Sequence, residues 1–232
     1  MNLIKKNIAA NFGGHAWIGL MGLVFVPLYI HFLGIEAYGL VGIFAALLGL
    51  FGLLDMGLSA TLTREMARLA IQKDKAREMR DLVRTLEIPY WAMGLLISLI
   101  IIALSPLISY YWVNTENLPR RSVQNAITIM GLAVAFQWPM SLYSGGLIGL
   151  QRQVLLNSIN AVMATFRGLG AVLILWLVSP TVEAFFSWQI AVSIIHFSLM
   201  IISLWRILPS APEPPRFRRE LLLNIWRFAA GM

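Results

Sequence analysis

Residues 8–62 read IAANFGGHAWIGLMGLVFVPLYIHFLGIEAYGLVGIFAALLGLFGLLDMGLSATL and contain two long apolar stretches. The connection between them, from Leu33 to Tyr38, has no Lys or Arg. A bilayer core is ~30 Å thick, and a helix needs ~20 mostly apolar residues to cross it. Each stretch is long enough, so this segment predicts two membrane-spanning helices that cross in opposite directions.

The rest of the chain repeats this pattern, and we predict six spans at about 8–33, 38–62, 87–111, 123–149, 154–178 and 184–206. Hydrophobic residues make up 59% of the chain and charged residues only 12%, whereas soluble domains carry ~25% charged residues. The excess of apolar residues therefore predicts lipid-facing surface. We expect an all-α integral membrane protein whose six transmembrane helices form one bundle.

The basic residues are distributed unevenly among the connections. Of the 18 Lys and Arg residues, 15 fall at the N-terminus, in alternate connections or after the sixth span. Two, Arg120 and Arg121, lie in the third connection, and Arg167 lies within a span. Because positive charge collects on cytoplasmic loops, the distribution predicts a multi-pass protein with a cytoplasmic N-terminus.

Three segments follow from this topology. Residues 1–208 are predicted to form the six-helix bundle, with a cytoplasmic amphipathic hairpin at about 64–84 that extends the second and third helices. Residues 209–219, PSAPEPPRFRR, are rich in Pro and Arg and predict a cytoplasmic linker, because Pro interrupts a helix. Residues 220–232 resemble the approach to a seventh span, and we interpret them as the start of a truncated second bundle.

Several classes of function are disfavoured by what the chain lacks. It has no Cys, and its three His residues are far apart in sequence, so we expect no metal site. There is no Gly-rich phosphate loop, GxSxG or HExxH motif, and we therefore expect neither an enzyme nor a bound cofactor. The net charge of +7 is placed at membrane edges, which favours contact with anionic lipids over nucleic acid.

The fifth predicted span carries an arginine at depth. Asn157, Asn160, Ala164 and Arg167 are spaced by three or four residues and share one helix face. An arginine far from the membrane edge costs at least ~2.5 kcal/mol on insertion scales unless it faces protein or water. Two interpretations remain open for Arg167. One is an anion contact in a water-filled cavity. The other is a structural contact, either an internal ion pair, for which Asp55 is the natural partner, or a helix-capping contact to a neighbouring carbonyl.

Asp55 lies near the inner end of the second span and is followed by Ser59 and Thr63 at helical spacing. It is either a gating or ion-coupling residue, acting in a proton or cation relay, or a local polar helix end.

Polar residues also form stripes in the other spans. Together these stripes predict a bundle with a hydrated interior, although a single polar residue in a span is more often a contact between helices. Pro139 is expected to kink its span, as are Pro27 and Pro106. The candidate substrate-binding residues are Arg167, Asn157, Asn160, Asn7, Asn11, His15, Gln137, Gln189 and His196.

Three stretches of the sequence resemble a known family. They are the basic, Asn-containing N-terminus leading into PLYIHFLGIEAYG, the LLDMGLS turn that ends the second span, and GLIGLQRQVLLN at 146–157. These stretches resemble Wzx-type polysaccharide biosynthesis (O-antigen) flippases of the multidrug/oligosaccharidyl-lipid/polysaccharide (MOP) exporter superfamily. The resemblance covers the whole chain and identifies it with the N-terminal half of such a protein.

The resemblance implies a function in the bacterial inner membrane. Members of this family move undecaprenyl-pyrophosphate-linked oligosaccharide across the membrane by alternating access, for surface polysaccharide or lipopolysaccharide O-antigen synthesis. It implies as partners the lipid-linked oligosaccharide, membrane lipids, and the polysaccharide polymerase and chain-length proteins, with energy from a proton or sodium gradient. A drug or small-molecule antiporter of the same superfamily and a non-transporting membrane subunit of a polysaccharide synthesis complex are the alternatives.

Overall fold

The computed structural model describes residues 3–53, 55, 57–72, 74–113, 115–116 and 118–230, and these residues form helices and connections without a strand. The helices are α1 Leu3–Leu33, α2 Ile35–Leu53, α3 Leu58–Ala70, α4 Ala76–Leu107, α5 Arg120–Gln137, α6 Met140–Gly149, α7 Gln153–Leu177, α8 Val182–Ile207 and α9 Arg219–Ala230. A π-helical segment, Ile108–Trp112, continues α4. The ends of the predicted segments at 1–2 and 231–232, and Lys73 of the predicted hairpin, lie outside the described residues.

The all-α membrane fold predicted from the sequence is confirmed. Within the described ranges, five helical segments are long and apolar enough to cross a bilayer: Lys5–Leu33, Ala76–Trp112, Arg120–Gly149, Gln153–Leu177 and Val182–Ile207. They correspond to five of the six predicted spans. The remaining prediction, 38–62, is divided between α2 and α3, and the apolar part of α2 is shorter than the other spans.

The span predicted over 38–62 is not one continuous helix, because α2 ends at Leu53 and α3 begins at Leu58, within the LLDMGLS stretch noted as a turn. Gly57 has φ +75°, a left-handed conformation that suits glycine. Asp55 reaches forward, and its Oδ2 accepts a hydrogen bond from the backbone N–H of Ser59 at 3.1 Å. A carboxylate placed this way satisfies one of the free N–H groups at the start of a helix. The local sequence therefore ends α2 and starts α3.

The span predicted over 123–149 is also interrupted, at the proline that predicts a kink. α5 ends at Gln137 and α6 begins at Met140, immediately after Pro139. Proline has no N–H to donate and its ring clashes with the preceding turn, so the helical hydrogen bonds stop there. By contrast, Pro27 lies inside α1, and Pro106 lies inside α4, two residues before the π-helical segment.

The helices pack around an apolar core, and neighbours run both parallel, as α1 with α7 and α3 with α6, and antiparallel, as α7 with α8. α1 packs mainly on α7, α4 on α5, α3 on α6, and α8 on both α5 and α7, while α2 makes lighter contacts with α1 and α5. Fully buried side chains such as Met130, Tyr143 and Phe186 fill the centre of the bundle.

The backbones of α3 and α6 approach closely. A Cβ atom added at Gly145 would lie 2.7 Å from the carbonyl oxygen of Ser59, and one at Gly149 would lie 2.5 Å from that of Thr63. Small residues four apart let membrane helices come this near. Thr63 uses the close approach to donate a hydrogen bond from Oγ1 to the carbonyl of Gly145 at 2.9 Å.

Residues 209–219, the predicted linker, lie along the first turns of α4. The backbone N–H of Arg216 donates to Asp81 Oδ1 at 2.8 Å, and the backbone N–H of Arg218 donates to Thr85 Oγ1 at 3.0 Å. The Arg218 guanidinium also pairs with Asp81, with Nε and Oδ2 2.6 Å apart. Because Asp81 and Thr85 are fully buried, the segment is held on α4 before α9 packs against α3 and α4.

Candidate functional site

A cavity of about 280 Å³ lies between α1, α2, α7 and α8. Most of its lining is apolar and includes Phe25, Phe44 and Phe185. The polar side chains that reach it are Arg167 and Gln189, together with the phenol of Tyr29. An apolar cavity with a few converging polar groups is the usual form of a ligand site.

Arg167 is held by two contacts to α8. Its Nη1 donates to Gln189 Oε1 at 2.9 Å, and its backbone carbonyl accepts a hydrogen bond from Trp188 Nε1 at 3.1 Å. Within the described ranges, Gln189 is the one hydrogen-bond partner of the guanidinium, and no Asp or Glu oxygen lies within 4.0 Å of it. A guanidinium has five N–H donors in a planar fork. The charge of Arg167 is thus oriented by a neutral amide and is not paired.

The suggested ion pair between Arg167 and Asp55 is wrong. The Asp55 carboxylate is occupied at the break between α2 and α3, where it accepts hydrogen bonds from the hydroxyls of Ser59, Tyr90 and Ser141. Asp55 lies at a polar helix end, one of the two predicted alternatives, because it accepts a hydrogen bond from the Ser59 N–H at the start of α3. Its role as a gating or ion-coupling residue stays a prediction.

Other predicted residues continue a polar row from Arg167 toward the N-terminal end of α7 and the C-terminal end of α8. Nε2 of His196 lies 3.1 Å from Oδ1 of Asn160, two helical turns from the Arg167–Gln189 pair. Gln137 joins the row from α5, because its Nε2 donates to Ser193 Oγ at 3.2 Å. The structure therefore brings Arg167, Gln189, Asn160, His196 and Gln137 into one connected region of the bundle.

Three predicted asparagines lie instead at the α1–α7 contact and do not line the Arg167 cavity. Asn157 donates from Nδ2 to Asn11 Oδ1 at 2.6 Å, and Asn7 donates to Gln151 Oε1 at 3.2 Å. Gly14 leaves the space that Asn157 occupies, since a Cβ there would be 2.6 Å from Asn157 Oδ1. These residues hold the two helices together.

His15, the last of the predicted residues, is exposed on α1.

A buried carboxylate on α4, Glu87, was not predicted as a site residue. Glu87 is only 4% exposed, and its Oε1 accepts hydrogen bonds from Tyr143 at 3.1 Å and from Trp205 Nε1 at 2.8 Å. Arg84 donates to its other oxygen at 3.0 Å. Glu87 is the first residue of the predicted third span, where a charge is ordinarily solvated. Only the i, i+3 spacing of Arg84 and Glu87 could have indicated a paired carboxylate. The other two partners, Tyr143 and Trp205, are distant in sequence.

No group of three or more His, Asp or Glu side chains that could hold a metal ion occurs in the part of the chain that the structure describes. The arrangement around Arg167 is suited to binding an anion. A single oriented cation in an apolar cavity attracts negative charge more strongly than the same group in water, because the effective dielectric constant is lower there.

Comparisons with known proteins give the family. A family model described as "Polysaccharide biosynthesis protein" matches residues 4–231, which is nearly the whole chain. A search of curated proteins and a search of solved structures each found no match to the chain. The chain, a helical protein with several segments of membrane-spanning length, therefore belongs to the polysaccharide biosynthesis protein family, the family of the Wzx-type flippases and MOP exporters.

Proposed function

We propose that this chain acts in the translocation of undecaprenyl-pyrophosphate-linked oligosaccharide across the bacterial inner membrane, with Arg167 as the contact for the pyrophosphate. The observation that carries the proposal is an unpaired guanidinium inside a membrane bundle. Arg167 is held by Gln189 at 2.9 Å and faces a cavity of about 280 Å³. An intramembrane arginine costs about 2.5–3.5 kcal/mol on insertion scales, which a purely structural role does not require.

The chemistry of the cavity suits a lipid-linked pyrophosphate. A guanidinium offers two parallel N–H groups to two phosphate oxygens, and such charge-assisted pairs are about twice as strong as neutral hydrogen bonds. Gln189 holds one N–H and leaves others for the ligand. The apolar lining accepts the first isoprene units. Asn160 and His196, inward of Arg167 on α7 and α8, supply amide and imidazole groups for sugar hydroxyls.

The direction of transport follows from the topology. Fifteen of the 18 basic residues lie on one side of the predicted bundle, which supports a cytoplasmic N-terminus and, with it, Arg167 in the outer half of the membrane. A substrate that enters from the inner leaflet reaches Arg167 after passing Asn160 and His196. Alternating access, driven by a proton or sodium gradient, then releases it outward.

Replacing Arg167 in the cell's own gene tests the proposal. Arg167→Ala removes the charge-assisted contact, worth about 1.5–3 kcal/mol, and is expected to lower surface polysaccharide about 10- to 100-fold. The lipid-linked oligosaccharide should accumulate on the cytoplasmic face, as measured with radiolabelled sugar in oriented membrane vesicles. Arg167→Lys keeps the charge but not the planar fork, so its loss should be intermediate.

Arg121→Ala is the matched control, because Arg121 is an exposed arginine in the first turn of α5. It should leave polysaccharide unchanged while the amount of inserted protein stays equal in all three variants. Normal polysaccharide and no accumulated intermediate in Arg167→Ala cells would remove Arg167 from the mechanism. Export of cationic dyes that depends on the chain would instead favour the small-molecule antiporter.

A further inference from the structure

Arginines gather along one edge of the bundle, where α4 begins. Arg80 and Arg84 lie one helical turn apart near the start of α4. The linker brings Arg216 and Arg218 alongside them, because the backbone N–H groups of both residues donate to buried side chains of α4. Arg219 follows as the first residue of α9. These five arginines, which we call the basic edge, lie where the distribution of charge predicts the cytoplasmic surface.

The carboxylates of this region do not balance the basic edge. Arg218 Nε lies 2.6 Å from Asp81 Oδ2, and Arg84 Nη1 lies 3.0 Å from Glu87 Oε2. Glu220, the second residue of α9, is the third carboxylate. Five guanidiniums therefore accompany three carboxylates, and the surface keeps an excess of two positive charges.

Arg80 carries one of these excess charges. Its guanidinium carbon lies 5.2 Å from the centre of the Trp205 ring, and its Nη1 donates to the Pro209 carbonyl at 3.4 Å. Among the described residues, no Asp or Glu oxygen lies within 4.0 Å of this guanidinium. Arg84 follows one turn later, and like charges four residues apart on a helix repel each other. An anion that contacts both guanidiniums would remove this repulsion.

The side chain of Arg216 is also turned outward. It is 66% exposed, and its approach to a carboxylate is long, with Nη2 and Glu213 Oε2 4.0 Å apart. The other oxygen of Glu213 already pairs with Arg77 at 2.6 Å. The linker is held on α4 by the backbone N–H of Arg216, so this hold does not need the Arg216 guanidinium. That guanidinium can therefore contact an anion without releasing the linker.

α4 continues from Arg84 with an exposed apolar stripe. Four exposed residues follow Arg84 at spacings of three or four, namely Ile88, Ala92, Leu95 and Leu99. They share one helix face with Arg84 because of this spacing. The face belongs to Ala76–Trp112, a segment that is long and apolar enough to cross a bilayer. An arginine at the head of such a stripe offers a phosphate contact and an acyl-chain contact to the same molecule.

We propose that the basic edge binds the phosphate of an anionic phospholipid, whose acyl chains lie along the apolar stripe of α4. Arg80 and Arg84 donate charge-assisted hydrogen bonds to the phosphate, and Arg216 adds attraction from the linker. Basic clusters at a membrane surface raise the affinity for anionic lipids by about fivefold per arginine. The site is separate from the Arg167 cavity and does not depend on the proposed transport function.

Native mass spectrometry of the purified full chain in neutral detergent tests the site. Phosphatidylglycerol and phosphatidylcholine with the same acyl chains are added in turn over a range of concentrations, and the lipid retained by each chain is counted. Because two arginine charges are unbalanced, one molecule of phosphatidylglycerol should bind about 25-fold more tightly than phosphatidylcholine.

Arg80→Ala and Arg216→Ala each remove a guanidinium that has no close carboxylate, so the chain should still fold. Each should weaken phosphatidylglycerol binding about fivefold, and the double variant about 25-fold. Arg80→Lys keeps the charge and should lose less. Arg121→Ala removes an exposed arginine in the first turn of α5, at the opposite end of α4, and should leave the binding unchanged.

Equal binding of the two phospholipids, full binding in the double variant, or an equal loss in Arg121→Ala would each overturn the site. Inorganic phosphate should displace little lipid, because it makes no contact with the apolar stripe, and complete displacement at equal concentration would reject a lipid as the ligand. A polyprenyl phosphate that displaces phosphatidylglycerol at a lower concentration would assign the basic edge to the transported lipid and reject the phospholipid.

Discussion

Replacing Gly149 with alanine tests the close packing of α3 against α6. The new Cβ would lie 2.5 Å from the Thr63 carbonyl oxygen and 2.7 Å from Met66 Cβ, whereas ordinary contact begins at 3.4 Å. The backbone carbonyl cannot rotate away as a flexible side chain could, so the two helices must separate by about 1 Å. Overpacking of this kind costs about 1–3 kcal/mol.

Separation also stretches a hydrogen bond. The contact from Thr63 Oγ1 to the Gly145 carbonyl is 2.9 Å and would open beyond bonding distance. Such bonds between membrane helices contribute about 0.6–1.7 kcal/mol. Because Gly149 is the last residue of α6, alanine gains little from its helix propensity. The free energy of unfolding should therefore fall by about 3 kcal/mol, and Tm by about 6–12 °C.

The assay is the loss of monomeric protein on size exclusion after heating in detergent. Gly13→Ala is the control, since no heavy atom lies within 4 Å of a Cβ at that position on α1. Its Tm should be unchanged or slightly higher, because alanine favours a helix over glycine. A Tm for Gly149→Ala within about 2 °C of the control would refute the packing of these two backbones.

Two further perturbations concern the buried carboxylates of α4. Asp81→Ala removes the acceptor that holds the linker 209–219, and loss of about 1.5 kcal/mol or more should raise the rate of tryptic cleavage there about tenfold. Glu87→Ala leaves Tyr143 and Trp205 without their acceptor, so the free energy of unfolding should fall by about 2–4 kcal/mol, as measured by thermal unfolding followed by tryptophan fluorescence.

Two carboxylates that are not buried, Glu213 and Glu183, provide the controls for the two measurements. Glu213 lies in the same linker and forms a surface ion pair with Arg77 of α4. Glu213→Gln should change the cleavage rate less than twofold, because exposed ion pairs contribute little to stability. Glu183→Gln, in the first turn of α8, should leave the unfolding midpoint nearly unchanged. If Asp81→Ala cleaves no faster than Glu213→Gln, the linker is not held by Asp81. An unchanged midpoint in Glu87→Ala would contradict the hydrogen-bond network.

The membrane fold could be predicted because hydropathy acts locally: twenty apolar residues in a row specify a span whatever their neighbours are. The break at Asp55 was predicted in part, since Gly57 and the Ser59 N–H that caps on Asp55 lie in the LLDMGLS turn. The Tyr90 and Ser141 hydroxyls that also hold the Asp55 carboxylate are remote in sequence and could not be predicted. The interruption at Pro139 could be predicted fully, because proline interrupts helical hydrogen bonds whatever its tertiary contacts are.

The candidate site was predicted in part for a similar reason. Helical spacing placed Asn157, Asn160 and Arg167 on one face of α7, and this is correct to within about 80°. That angle is enough to direct Asn157 to α1 while Asn160 and Arg167 contact α8. Which helix stands on each side of α7 is not encoded in the spacing. The sequence could therefore identify the polar residues but not separate those that join helices from those that face the cavity.

The two helix breaks at one depth have a mechanical consequence for the bundle. A helix resists bending through its continuous hydrogen bonds, and at this level those of the second and fourth predicted spans are interrupted. α1, α4, α7 and α8 pass the level without a gap. The bundle is therefore most compliant in a plane parallel to the membrane surface, and Asp55, Tyr90 and Ser141 lie in it. Small tilts of α3 and α6 would be concentrated there, while the half of the bundle that contains Arg167 keeps its shape.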